Sequence, residues 1–167
     1  TGYFHSKQAE MADYYRNVHL LFLKGKSGSE LDNSAELTAK FKELTWSKNF
    51  GAKIVLFFYR NYTTDQENRS PRLQVLFRLL RERFGDVAPE SFRNYFREKS
   101  LPLMKYTNIL SFNTRSIALF VSILLGWPWL YFVFELTVLN ILLVYMVTRH
   151  EKISKGFVLD IKSGKYN

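Results

Sequence analysis

The stretch that decides the fold is residues 116–148, with the sequence SIALFVSILLGWPWLYFVFELTVLNILLVYMVT. Its only charged side chain is Glu135. One unbroken helix of this length would be about 50 Å long, well beyond the ~30 Å hydrocarbon core of a bilayer. Gly126 and Pro128 divide the stretch, and proline suits the first turn of a helix, where its missing amide hydrogen is not needed. The sequence therefore predicts a two-helix transmembrane hairpin.

The predicted hairpin covers residues 107–148, with one span at about 108–125 and the other at about 128–148. A buried helical hairpin in a soluble domain is the alternative. The uncharged turn weighs against that alternative. So do Trp127 and Trp129, which lie where an interfacial belt of aromatic side chains is expected. The sequence favours the membrane.

Charge on the two flanks predicts the orientation of the hairpin. Residues 1–108 have 18 Lys and Arg against 12 Asp and Glu, and residues 149–167 have five against two. Because Lys- and Arg-rich flanks stay in the cytoplasm, both chain ends are expected there, at a bacterial inner membrane, with residues 149–167 as a basic tail. The net charge of +9 then fits anionic lipid headgroups and phosphate-bearing substrates, and nucleic-acid binding is not expected.

The remaining residues are predicted to be helical, so the expected fold class is an all-α integral membrane protein fragment. Residues 1–24 form the first predicted helix, with the option of continuing from an upstream transmembrane span, and residues 25–106 form a cytoplasmic or interfacial helical insertion. The first residue is Thr, and the first Met, Met11, lies within the helical pattern. We therefore expect a C-terminal piece of a longer protein.

Within the insertion, local signals mark the beginning of helices. Residues 33–36, Asn-Ser-Ala-Glu, are typical of a capping box that opens a short helix ending at about Leu44. Residues 54–59, IVLFFY, are six apolar side chains between Lys53 and Arg60. Six residues are too few to cross a bilayer, so this run is expected in a protein core or at the membrane interface.

Two basic amphipathic helices follow. The first is predicted from Ser70-Pro71 to Gly85 and the second begins at Pro89. Such helices, rich in Phe and Arg, either lie on a membrane surface or pack together as a small cytoplasmic bundle, and the sequence leaves both open. The apolar positions are Leu73, Leu76, Phe77, Leu80 and Phe84 in the first helix and Phe92, Tyr95 and Phe96 in the second.

Three polar residues lie within the predicted hairpin: Arg115, Glu135 and Asn140. Ionisable groups at membrane depth are costly and usually face a bundle interior, a partner or a substrate path. Arg115 is expected level with Asn140 and within reach of Glu135. It therefore has three interpretations: an ion pair with Glu135, a ligand for substrate phosphate, or a side chain that extends back to the headgroups.

The first helix has a polar stripe at three-to-four-residue spacing. Such a stripe lines the mouth of an active site or is an ordinary solvated face, and the sequence favours the solvated face. His5 and Arg16 join Arg115 as candidate substrate-binding residues. A metal site from His5, His19 and Asp13 is not expected, because the two histidines are about four turns apart. The stripe is His5, Gln8, Ala12, Tyr15 and His19.

Three segments resemble the C-terminal part of bacterial CDP-alcohol phosphatidyltransferase-family proteins: HSKQAEMADYYRNVHLLFLKGKSGSELD at 5–32, SLPLMKYTNILSFNTRSIALF at 100–120 and PWLYFVFELTVLNILLVYMVTRHEKIS at 128–154. The resemblance implies a phospholipid-synthesising membrane enzyme. Its reaction transfers a phosphatidyl-type group from a CDP-linked lipid to an alcohol and releases CMP, with divalent Mg or Mn bound by carboxylates. It also implies membrane lipids and a CDP-linked lipid as partners, and admits a homodimer.

The family's catalytic pattern is D-x-x-D-G-x-x-A-R followed by G-x-x-x-D-x-x-x-D, and its first half is absent from this chain. Gly28, Asp32 and Glu36 echo the second half by coincidence. No catalytic residue or metal ligand is therefore assigned to this chain, and both are expected upstream of Thr1. The alternative function is a non-catalytic membrane-anchored protein whose basic helices bind anionic lipid or a protein partner. The chain has no cysteine, which excludes disulfides and thiolate metal sites.

Overall fold

The computed structural model describes residues 2–25, 29–85 and 87–166. Over those ranges the fold is all-α, as expected, and contains no strand. Gly28 lies outside the described residues. The helices are α1 (Gly2–Lys24), α2 (Ser34–Glu43), α3 (Trp46–Asn68), α4 (Pro71–Phe84), α5 (Glu90–Ser100), α6 (Met104–Ile109), α7 (Phe112–Leu124), α8 (Trp129–Leu136) and α9 (Val138–Lys162), with a turn of 3₁₀ helix at Leu101–Leu103 between α5 and α6.

Helix α1 is the centre of the bundle and contacts α5, α6, α8 and α9. It agrees with the helix predicted within residues 1–24. Its polar stripe is mostly buried, so the solvated-face interpretation is wrong. The physical reason is that the neighbours of α1 come from residues 90–162, whose positions the local pattern does not encode. The buried members of the stripe are Gln8, Ala12, Tyr15 and His19.

The apolar faces of α4 and α5 pack into the same core as α1 and α9, which favours the bundle interpretation of these two helices. The centre of the core is aromatic. Phe22 of α1 lies 4.4 Å from Phe96 of α5, centroid to centroid, and Phe92 of α5 lies 5.0 Å from Phe157 of α9. Aromatic pairs at these distances add to the stabilisation from burial. The basic side chains of α4 and α5 are therefore left on the outside.

The beginning of α2 is capped by two side chains, one local and one distant. Asn33 Oδ1 accepts a hydrogen bond from the Ala35 amide at 2.8 Å, so Asn33 is the N-cap, but the reciprocal Glu36 bond of the predicted capping box is not formed among the described residues. The second partner is Glu67, whose carboxylate accepts from the Ser34 amide at 3.0 Å. This places a negative charge at the positive end of α2.

The beginning of α4 is capped by a residue that the sequence did not indicate. Pro71 is its first residue, as predicted, but the Ser70 hydroxyl donates to the Gln66 carbonyl instead of capping. The cap is Glu151 of α9, whose carboxylate accepts from the amides of Arg72 at 2.9 Å and Leu73 at 3.2 Å. The start of α4 is thereby fixed next to α9, just beyond its apolar part.

The turn after α7 is a Schellman motif. Gly126 has a φ of +74°, in the left-handed region that favours glycine. Its amide donates to the Ile123 carbonyl at 2.9 Å, and the Trp127 amide donates to the Ser122 carbonyl at 3.0 Å. Pro128 then precedes α8. Glycine and proline therefore reverse the chain here, as the sequence predicts.

Of the described residues, one helix is long and apolar enough to cross a membrane. It is Trp129–Lys162, in which α8 and α9 continue through Thr137. Only 17% of its most apolar window is buried, whereas the core helix of a soluble protein would be mostly buried. This helix includes the second predicted span. Length and composition make it compatible with membrane association.

The first predicted span is shorter than expected. Ser111 has an extended backbone, with ψ 173°, and separates α6 from α7. Helix α7 therefore has 13 residues and a length of about 20 Å, less than the ~30 Å of a hydrocarbon core. The two-helix transmembrane hairpin is accordingly not confirmed.

Candidate functional site: a polar cluster and an adjoining groove

Arg115 lies at the centre of a polar cluster where α7 meets α1. Its side chain is 2% exposed. One terminal nitrogen, Nη1, donates to the Leu110 carbonyl at 2.5 Å, and Nη2 donates to Gln8 Oε1 at 2.6 Å. The guanidinium is therefore held inside the protein, which disagrees with the predicted extension of this side chain toward a surface.

Gln8 connects Arg115 to the long helix Trp129–Lys162, which we call the apolar helix. While Gln8 Oε1 accepts from Arg115, Gln8 Nε2 donates to Asn140 Oδ1 at 2.9 Å and to the Glu135 carbonyl at 3.2 Å. Arg115 and Asn140 are therefore at the same level, as the sequence predicted. No direct ion pair joins Arg115 and Glu135 among the described residues; Gln8 links the guanidinium to the Glu135 backbone carbonyl instead.

His5 completes the cluster at its outer side. Its Nδ1 lies 3.3 Å from Glu135 Oε1, and the Glu135 side chain is nearly fully buried. Within the described part of the chain, Arg115 Nε has no hydrogen-bond partner, and Glu135 Oε1 has the His5 contact without the geometry of a hydrogen bond. The cluster thus joins α1, α7 and α8–α9 by hydrogen bonds between buried groups, and removing one partner would leave another unsatisfied, which makes the cluster costly to disrupt.

Next to the cluster, a groove of about 470 Å³ lies between α1, the end of α3 and the apolar helix. Asn140 belongs to both features, since it binds Gln8 and lines the groove. Cationic side chains line one part of the groove and aliphatic side chains line another. The lining residues are Tyr3, Phe4, Lys7, Arg69, Leu136, Asn140, Leu143 and Val144.

The two cations of the groove are held by carboxylates that do not line it. Lys7 Nζ lies 2.6 Å from Asp65 Oδ2 and 2.9 Å from Glu10 Oε2, and Arg69 Nε lies 2.8 Å from the same Asp65 oxygen. Burial acts to lower the pKa of Lys7, but its contacts with Asp65 and Glu10 outweigh burial and raise that pKa. The hydrogen bond to Asp65 also raises the pKa of Arg69. Both side chains are therefore charged at neutral pH.

The aliphatic part of the groove belongs to the apolar helix. Leu136, Leu143 and Val144 lie there, and Val144 is 65% exposed. The groove thus combines two cations, each paired with Asp65 or Glu10, and aliphatic side chains, so a ligand that fits it has a polar part and an apolar part.

The sequence-predicted site residues are brought together only in part. Arg115 and His5 belong to one cluster, linked through Gln8 and the Glu135 region. Arg16 is exposed and lies near Asp13, away from the cluster. Whether any of the three binds substrate stays a prediction.

The groove cations were missed by sequence reasoning. Lys7 and Arg69 are far apart in the chain, and both meet Asp65, which is 58 positions from Lys7. A single sequence has no local signal for such a pair. The sequence did indicate the apolar helix that lies next to these two cations, but it did not indicate the cations themselves.

The divalent metal implied by the resemblance does not fit the described residues. No three His, Asp or Glu side chains there come close enough together to hold a cation. Asp32, part of the motif echo, accepts a hydrogen bond from the Tyr59 hydroxyl at 2.6 Å, and Glu36 is exposed. No catalytic step through a metal is therefore derived from this part of the chain.

No family model, no curated protein and no solved structure matches this chain.

Proposed function

We propose that this chain is the lipid-holding part of a membrane protein that transfers a phosphatidyl-type group from a CDP-linked lipid to an alcohol. The observation that supports the proposal is the groove beside the apolar helix. Lys7 and Arg69 would bind the anionic headgroup, and Leu136, Leu143 and Val144 would contact the acyl chain. The reaction type comes from the family resemblance alone, and the carboxylates and metal for it would come from outside the described residues.

The groove has the polarity that a phospholipid of the cytoplasmic leaflet requires. Arg69 directly precedes Ser70 and α4, whose first amides bind Glu151, so it lies near the end of the apolar stretch. Leu136 lies about two turns before Leu143 in the apolar helix, on the side of the turn at Gly126. A headgroup at Arg69 therefore places its acyl chain toward the bilayer centre.

The proposal includes a transmembrane hairpin with both chain ends in the cytoplasm. Tyr106 of α6 lies 5.2 Å from Tyr145 of α9, centroid to centroid, and Arg115 of α7 is joined through Gln8 to Asn140. Helices α6 and α7 therefore run antiparallel to the apolar helix from Tyr145 to the turn. Local thinning of the bilayer would accommodate the short α7.

Lipid retention tests the groove. The purified protein, extracted in mild detergent, should retain anionic phospholipid, measured by mass spectrometry. Arg69→Gln removes a headgroup contact, and Leu136→Trp blocks the acyl end at an exposed position; both should lower the amount retained several-fold. Arg78→Gln, an exposed cation on α4 outside the groove, is the matched control. Equal retention in all the variants would overturn the proposal.

A CMP-release assay tests the reaction. This chain alone should release no CMP from CDP-diacylglycerol with magnesium, because its described residues offer no metal site. The full product of its gene should release CMP, and Arg69→Gln should reduce that rate. Metal-dependent turnover by the chain alone would contradict the assignment and direct attention to Asp32 and Glu36.

A second candidate is a non-catalytic membrane-anchored protein that binds anionic lipid. The exposed cations on α4 and α5, such as Arg72 and Arg97, favour it, because they suit anionic headgroups without any reaction. It shares the lipid groove with the first candidate and differs in the reaction. Lipid retention without CMP release from the full gene product would select it.

A further inference from the structure

Helices α2 and α3 project from the bundle as an arm, residues 34–68. Helix α2 contacts chiefly α3, and α3 meets the bundle near its C-terminal end. There Gln66 Nε2 donates to the Glu10 carbonyl at 3.1 Å, and Asp65 contacts Lys7. Toward the other end, Lys53 is the only buried residue of 46–60. The run IVLFFY is therefore not part of a protein core.

One side of the arm presents a group of aromatic rings, Phe41, Trp46, Phe50 and Phe57, which we call the aromatic tip. The ring centroids of Phe41 and Trp46 are 6.4 Å apart, those of Phe41 and Phe57 6.3 Å, and those of Trp46 and Phe50 5.9 Å. Phe50 is 62% exposed and Trp46 is 52% exposed. A contiguous apolar surface of this kind marks a site of contact with another apolar phase.

Cations accompany the aromatic tip. Lys53 Nζ lies 4.6 Å from the centre of the Phe41 ring, and the Arg60 guanidinium carbon lies 4.7 Å from the same ring. The sequence from Leu44 to Thr64 contains three cations and no Asp or Glu. The partner that fits this surface is therefore both apolar and negatively charged, which describes the headgroup boundary of an anionic bilayer.

The arm joins the bundle beside the apolar helix. Arg69, which follows α3 directly, lines the groove with Leu143 and Val144 of the apolar helix. We propose that the aromatic tip of the α2–α3 arm inserts into the headgroup boundary of the membrane that the apolar helix enters, as a second point of attachment. The inference rests on the proposed membrane location of the apolar helix and not on lipid binding in the groove.

Tryptophan fluorescence tests the proposal without disturbing the tip. The chain has three tryptophans, so the double variant Trp127→Phe with Trp129→Phe leaves Trp46 as the only one. This protein is reconstituted into vesicles of phosphatidylcholine and phosphatidylglycerol, with and without lipids brominated near the headgroup end of the acyl chain. Brominated lipid should quench most of the Trp46 emission, and aqueous iodide should quench little of it.

A matched protein separates the failure of this proposal from the failure of the membrane assignment. Trp46→Phe with Trp127→Phe leaves Trp129, at the start of the apolar helix, which brominated lipid should also quench. Quenching at Trp129 but not at Trp46, with Trp46 open to iodide, would overturn the arm proposal and leave a soluble protein partner for the tip. No quenching at either tryptophan would overturn both assignments.

Discussion

The two halves of helix α9 have opposite surroundings. In the first half Ile141 is 70% exposed and Val144 is also exposed, whereas in the second half Phe157 and Ile161 are at most 3% exposed. The second half packs against α4 and α5, while the first half is flanked by α1, α6 and α8 on part of its circumference. One continuous helix thus has two environments. The first half is apolar on nearly every side and suits lipid; the second is amphipathic and suits a protein core.

Truncation of one isoleucine in each half gives the largest expected difference. Ile161→Ala removes buried methyl groups from the aromatic core and should lower the free energy of unfolding by about 2–5 kcal/mol. Ile141→Ala, on the exposed side, should change it by no more than about 0.5 kcal/mol. Denaturant unfolding in detergent micelles, followed by circular dichroism, measures both. Equal losses would contradict the division of α9 into a lipid-facing and a protein-facing half.

The polar cluster tests whether the first half of α9 also depends on protein contacts. Arg115→Leu leaves Gln8 Oε1 and the Leu110 carbonyl without a donor and should cost about 3 kcal/mol of stability, although leucine suits lipid better. Arg115→Lys keeps the charge but loses the planar fork, so it should recover only part of the loss. Full stability in both variants would show that the hydrogen bonds of Arg115 to Gln8 and to the Leu110 carbonyl do not stabilise the protein.

The cap on α4 tests the boundary between the two halves. Glu151→Gln removes the negative charge from the beginning of α4 but keeps one hydrogen-bond acceptor, so it should cost about 1 kcal/mol. Glu98→Gln, on the exposed surface of α5, is the matched control and should be neutral. The unfolding midpoint of each variant measures the effect. An equal loss of stability in both variants would contradict the conclusion that Glu151 caps α4.

The smallest expected effect is on pH dependence. Burial, with a smaller contribution from Arg97, lowers the pKa of His19, whose Nδ1 lies 2.7 Å from the Ser100 hydroxyl. Because the unfolded chain binds the proton more readily, stability is fully present above the unfolded pKa of about 6.5 and is lost as the pH falls below it. His19→Gln should flatten this part of the curve. The buried His150 should keep some slope, and an unchanged curve would exclude His19 as its source.

Local signals explain which parts of the fold were predictable. Pro71, Gly85 and Pro89 mark the ends of α4 and α5 where the structure has them, and Gly126 and Pro128 mark the turn. Each acts through the backbone of its own turn, so the sequence alone suffices. The early break at Ser111 has no such marker, and α7 was therefore predicted too long.

Long-range contacts explain what the sequence did not predict. The burial of Gln8 depends on α7 and on the apolar helix, and the groove depends on Lys7 meeting Asp65 across 58 positions. Glu151 caps a helix 79 positions before it. The sequence around each of these residues does not indicate which distant residue it contacts. Arg115 was recognised because a charge within an apolar stretch is itself a signal.

Membrane topology is the most direct test of the central claim, that α7 and the apolar helix cross the bilayer as a hairpin. Because the chain has no cysteine, single substitutions Lys105→Cys, Trp127→Cys and Lys165→Cys each give one reactive site. In intact bacterial cells a membrane-impermeant maleimide should label only the Trp127→Cys protein, and lysis should expose the other two sites. Labelling of Lys105→Cys together with Trp127→Cys would show that α7 does not cross. Equal labelling of all three sites, whether in intact cells or only after lysis, would show that neither helix crosses and would contradict the central claim.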